Sequence, residues 1–106
     1  TFKLKTKANV GVTTVGIYTA PAATTTVVIG ITLANTSGSG VNVGVGITRA
    51  GTTEDVKLLK NAPIPQGSSL EFMAGNKVVL QTTDTLTVDS DTNNSVDASL
   101  TIMEIT

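Results

Sequence analysis

The sequence contains no cysteine and no histidine. Without cysteine there is neither a disulfide framework nor a thiolate metal site. Without histidine the commonest general base and the commonest transition-metal ligand are missing too. An enzyme would have to work with carboxylates, lysines, hydroxyls and one tyrosine, so the chain is read as a non-enzyme with no cofactor. Aromatics are limited to Phe2, Tyr18 and Phe72, which leaves little for stacking bases or sugars. Seven basic residues against eight acidic ones give a net charge of −1. Neither nucleic acid nor a membrane surface is an expected partner at that balance. No apolar run approaches the ~18 residues of a transmembrane helix. The opening Thr1-Phe2-Lys3-Leu4-Lys5 lacks the long apolar core of a secretion signal, and synthesis in a cytoplasm is the expectation, with a processed terminus the alternative.

Threonine and valine dominate what is present, with many glycines, serines and asparagines. The β-branched residues favour a pleated, half-buried sheet surface. Period-two alternation puts Val27, Ile29, Ile31 and Leu33 on one face of a strand and Val28, Gly30, Thr32 and Ala34 on the other. Val41, Val43, Val45 and Ile47 alternate in the same way with Asn42, Gly44, Gly46 and Thr48. Val96, Ala98, Leu100 and Ile102 alternate with Asp97, Ser99, Thr101 and Met103. Asn35 to Gly40 reads as a hairpin loop, and Ala50-Gly51-Thr52 as a bend into a strand near Asp55 to Lys60. Ala62 to Gly67 carries two prolines and reads as a crossover between sheets. Ala74-Gly75-Asn76 is a tight turn before Lys77 to Gln81, and Asp89 to Ser95 a polar loop before the last strand. These signals predict an all-β fold, an antiparallel β-sandwich of jelly-roll type with eight or nine short strands. Residues 1–106 form one domain, with 1–12 a candidate extended N-terminal arm.

Three features invite a functional reading. Lys3, Lys5 and Lys7 alternate with Phe2, Leu4 and Thr6, so an extended N-terminus has a basic side and an apolar side. Phe2, Lys3, Leu4, Lys5 and Lys7 are therefore the candidate interface residues; lysines also protect an edge strand from unwanted pairing. Asp89, Asp91 and Asn93 are candidate calcium ligands, since oxygens recur at alternate positions. The same loop departs from a calcium loop at Asn94 and Leu100, and a solvated loop of Asx-turn residues is the favoured reading. Charge is segregated. Lys3, Lys5, Lys7 and Arg49 precede every acidic residue, whereas Asp84, Asp89, Asp91, Asp97 and Glu104 occupy a C-terminal stretch without cations. The two sets can pair between subunits or within one chain. No phosphate-binding glycine pattern is present, and no base accompanies Thr24-Thr25-Thr26.

Ile17-Tyr18-Thr19-Ala20-Pro21 followed by Thr24 to Gly30 resembles the opening of small virion structural proteins of tailed bacteriophages. Leu33-Ala34-Asn35, Leu59 to Leu70, Lys77 to Leu80, Asp84 to Val88 and Ser99 to Thr106 continue the resemblance in order. It implies a β-sandwich that self-associates on a phage particle, most simply as a capsid decoration or cement protein on the exterior. A neck, tail or fibre component is the alternative. The implied partners are copies of itself, with a trimer favoured, and the major capsid protein or tail proteins. From the residues, two other classes remain open: an extracellular carbohydrate-binding or adhesive module, and a surface-filament subunit built by strand donation.

Overall fold

The computed structural model describes residues 2–49, 55–72 and 78–105. Within them the alternating segments form nine strands: β1 (Phe2–Val10), β2 (Val15–Thr19), β3 (Thr25–Asn35), β4 (Val41–Thr48), β5 (Asp55–Ile64), β6 (Ser69–Phe72), β7 (Val78–Leu80), β8 (Thr85–Ser90) and β9 (Val96–Ile105). One sheet runs β1-β9-β3, with β6 and β7 both pairing with β3 along its far edge; the other runs β2-β8-β4-β5. Every pairing is antiparallel. Most connections cross from one sheet to the other, and the strand order is that of a jelly roll in which β6 and β7 share one position. The expected sandwich is thus the observed fold. The bends expected at 50–52 and 74–76 lie outside the described residues.

Val28, Ile31, Leu33, Leu80, Leu86, Leu100 and Ile102 are wholly buried between the sheets. The alternation of Val41 to Ile47 and of Val96 to Ile102 faces inward as expected. In β3 the expected phase holds only for its second half. Val28 lies opposite Ile102 and Gly30 opposite Thr101, so Ile29 is an extra residue at a bulge. The bulge inverts the pattern before it: Thr26 and Val28 point into the core and Val27 points out. Val28→Ala should therefore cost about 2 kcal/mol, whereas truncating half-buried Ile29 should cost less than about 1 kcal/mol. Urea denaturation of the two variants checks the order, which simple alternation would reverse.

Asn35 to Gly40 is not a hairpin loop. It carries the chain from β3 in one sheet to β4 in the other. Six turn-forming residues span the ~10 Å between stacked sheets as readily as they join neighbours, and local composition does not distinguish the two. Ala62 to Gly67 does lead between sheets, although β5 continues to Ile64 before leaving. Pro63 is tolerated there because β5 is an edge strand.

The β4–β5 pairing contains two register shifts, so β5 carries more residues than the β4 stretch it faces. The excess bends over the glycines of β4. A Cβ on Gly46 would stand 2.9 Å from the Val56 carbonyl oxygen, and one on Gly44 would stand 2.6 Å from Asp89 Oδ1 and 3.2 Å from the Leu59 carbonyl oxygen. The small residues of this strand thus admit the chain's own neighbouring strand.

Candidate assembly interface

Cross-strand register decides which way the N-terminal residues point, because residues directly opposite share a face. Lys3, Lys5 and Lys7 lie opposite Ile102, Leu100 and Ala98, all core residues. The three lysines therefore occupy the inward side of an edge strand, where the sandwich is open. Phe2, Leu4 and Thr6 lie opposite Met103, Thr101 and Ser99 on the outer face. The candidate arm, residues 1–12, is seated along β9 of the same chain from Phe2 to Val10.

The outer face gains members that the linear pattern hides. Met103 pairs with Val27 and Val27 with Val79, so Phe2, Met103, Val27 and Val79 make one row across four strands. Leu4 and Ile105 flank it. Phe2 is 71% exposed, Leu4 67%, and Val79 and Ile105 49% each. These four are most of the large apolar side chains that stand in solvent among the described residues. Further along the same face the side chains shrink. Thr6, Ala8, Thr32, Ala34 and Ser99 line a shallow concavity of about 310 Å³, which Lys7 and Asp97 also border.

The inward side of β1 is fastened by a short polar chain. Lys3 Nζ lies 2.8 Å from Glu104 Oε1. The Tyr18 hydroxyl donates to Glu104 Oε2 at 2.5 Å. Having given its only proton, that hydroxyl accepts from Thr26 Oγ1 at 2.8 Å. Tyr18 from one sheet and Glu104 from the other thus close the open side of the sandwich. The Lys3 hydrogen bond, then that from Tyr18, holds the Glu104 carboxyl below the usual glutamate range. Burial, then the Glu104 partner, pushes the Tyr18 hydroxyl above 10.0. A depressed carboxyl stabilises the fold above its unfolded pKa of about 4.3 and loses that contribution as pH falls through the folded value. A raised phenol stabilises below 10.0 and loses its contribution as pH rises through the folded value. Glu104→Gln should accordingly flatten the acid limb of stability against pH, read by urea midpoints from pH 7 down to about 3.

A second ion pair also forms within the chain. Arg49 Nε lies 3.0 Å from Asp84 Oδ2, and the same carboxylate oxygen accepts the Gln81 N–H at 3.0 Å. The basic N-terminal and acidic C-terminal sets therefore meet inside one molecule, through Lys3–Glu104 and Arg49–Asp84.

The candidate calcium ligands are each engaged by a hydrogen bond within the chain. Asp89 Oδ2 accepts from Thr14 Oγ1 at 3.0 Å, Asp91 Oδ1 from the Asn42 N–H at 3.1 Å, and Asn93 Oδ1 from the Val12 N–H at 3.4 Å. Asp89 and Asn93 thus fasten the β1–β2 connection, and Asp91 fastens the start of β4. Among the described residues no three acidic, cysteine or histidine side chains are grouped to hold a metal. Beside Asp89 and Asp91 a cleft of about 170 Å³ also meets Lys57 and Lys60, without an aromatic wall for a sugar.

No protein-family model matches the chain, and no curated protein sequence matches it. Solved structures do. A chain of the T13 IBDV viral particle is similar over 96% of this chain and 30% of its own length, at 15% identity and a TM-score of 0.59. A protein of the Bacillus endospore appendages, described as disulfide-linked pili, is similar over 100% of this chain and 88% of its own, at 18% identity and 0.54. A pentameric capsid protein from metagenomic phage sequences is similar over 98% of this chain and 61% of its own, at 16% identity and 0.51. The chain spans about a third of the viral-particle chain and most of the appendage protein. At these identities the likeness is one of fold: a jelly-roll sandwich of the kind found in those proteins.

Proposed function

We propose that this chain is a structural protein of a bacteriophage virion, a self-associating decoration or cement protein on the outside of the capsid. The observation that carries the proposal is the uncovered apolar row Phe2–Met103–Val27–Val79, with Leu4 beside it, on a sandwich whose buried polar side chains all have partners among the described residues. Exposed apolar surface of this kind marks an association site. The resemblance of the sequence to tailed-phage virion proteins supports the particle assignment, as does the shared fold with capsid chains. A neck, tail or fibre position would use the same face. Capsid and tail proteins are the partners proposed beyond the chain itself.

A surface-filament subunit is the second reading, favoured by the similarity in both fold and size to the appendage protein. Antibodies against the chain separate the two when applied to a culture carrying the gene. Gold label on the exterior of purified phage particles is the expected result. Label on cell-surface filaments would establish the second reading, and label on neither would overturn both.

A further inference from the structure

We infer that the outer face of the β1-β9-β3 sheet docks on the same face of a second copy of this chain, about a two-fold axis lying across the strands. The inference rests on the self-association proposed above and names the surface and symmetry that carry it.

The face has two halves along the strand direction. Phe2, Leu4, Met103 and Val27 make a ridge at one end, and Thr32, Ala34 and Ser99 line the concavity at the other. Both lie on one face of one sheet. A copy that presents its ridge to this concavity must be turned over, and turning it over brings its own concavity above this ridge. The contact is therefore reciprocal, which is the property of a two-fold interface. Sheet faces pack at ~10 Å with their side chains interdigitated, and a large-side-chain half laid on a small-side-chain half allows that approach.

Three further observations favour a second copy over an unrelated partner. First, the ridge exposes on the order of 400 Å² of large apolar side chain. With the small-residue half beside it the face approaches the ~800 Å² per partner of an ordinary stable interface. Second, the ridge that would be buried brings no charge of its own into the contact. Among the described residues the ridge half carries no charged side chain, with Lys3 and Lys5 opposite core residues on the other side of β1. The charges on and beside this face, Lys7, Asp97 and Glu71, are of both signs and lie at the small-residue half. Third, those same lysines disfavour the competing arrangement. Pairing β1 edge-to-edge with another β1 would set Lys3, Lys5 and Lys7 against their own copies, and like charges opposite one another are destabilising.

A trimer, the state favoured by the resemblance, needs a heterologous contact and hence a different surface. The two are separable by experiment. Light scattering after size exclusion should give twice the chain mass for the wild-type protein. Leu4→Arg should weaken the association at least tenfold without shifting the circular-dichroism melt, because Leu4 is 67% exposed. Phe2→Asp serves as a second disrupting variant. The natural chain has no cysteine, so single cysteines can be introduced cleanly. A bis-maleimide of about 10 Å reach, the spacing of stacked sheets, should join Phe2→Cys to Ala34→Cys in a mixture of the two variants. It should join neither variant to itself. A monomeric wild type, a trimer indifferent to both disrupting variants, or self-linking of Phe2→Cys would each overturn the inference. None of these results would alter where antibodies label a particle.

Discussion

Replacing Asn35 by alanine should lower stability by about 3 kcal/mol, one of the largest losses available from a single polar side chain in this protein. Asn35 ends β3 and is only 4% exposed. Its Nδ2 donates to the Ser39 carbonyl at 2.8 Å and the Ile64 carbonyl at 3.0 Å, with the Pro65 carbonyl at 3.3 Å sharing one of the two protons. Its Oδ1 accepts from the Ser37 backbone N–H at 2.9 Å and the Ser37 hydroxyl at 2.7 Å. One amide thus ties the β3–β4 crossover to the β5–β6 crossover. Alanine leaves several of those backbone groups without a partner, and a buried orphan costs about 1–3 kcal/mol. Asn35→Asp sharpens the test. It keeps the shape but turns a carboxylate toward carbonyl oxygens, so at neutral pH it should be worse than alanine, with partial recovery on acidification. Urea unfolding at pH 7 and pH 4 measures both. A loss under 1 kcal/mol for the alanine variant would show that the amide is not the tie between the crossovers.

Gly46→Val should cost a comparable ~3 kcal/mol, for steric reasons. The nearest atom to a new Cβ is the Val56 carbonyl oxygen at 2.9 Å, followed by Thr87 Oγ1 at 3.3 Å. A side-chain tip can rotate away, but a backbone carbonyl in a paired strand cannot without breaking the ladder. Relief would require β5 to lift, and β5 is an edge strand that pairs with β4 alone among the described residues. Gly30→Ala is the matching control, because a Cβ there meets nothing within 4 Å. It should leave stability within about 0.5 kcal/mol of wild type. Thermal melts of the two variants side by side decide the point.

These sites differ in how far the sequence reveals them. Strands with unbroken alternation, such as Val41 to Ile47 and Val96 to Ile102, are legible because burial on one face is a local, period-two property. The bulge at Ile29 is not. It is defined by the register against β9, and nothing in residues 25–35 fixes that register. The crossover at Asn35 to Gly40 fails for a similar reason. Turn-forming composition says that the chain reverses, while the sheet that receives it is decided by the packing of whole strands. The split of β1 into a lysine side and an apolar side was readable from spacing alone. Which side faces the core was not, since that depends on Ile102, Leu100 and Ala98 lying opposite. Met103, Val27 and Val79 join Phe2 only through pairings of long sequence separation, and the link from Lys3 to Glu104 to Tyr18 likewise draws on distant parts of the chain.

The pairing of β1 with β9 has a consequence for how the protein is made. Lys3 lies opposite Ile102, and β9 separates β1 from β3. The last strand is therefore the centre of its sheet, and the first strand has no place until it arrives. Contacts of such long range make folding slow, in the millisecond-to-second regime of β-sandwiches. During synthesis the sheet cannot close until β9 has left the ribosome's exit tunnel. A fragment released early presents neither the ridge nor the concavity in register. The face on which the proposed association depends thus exists only in a chain that includes β9.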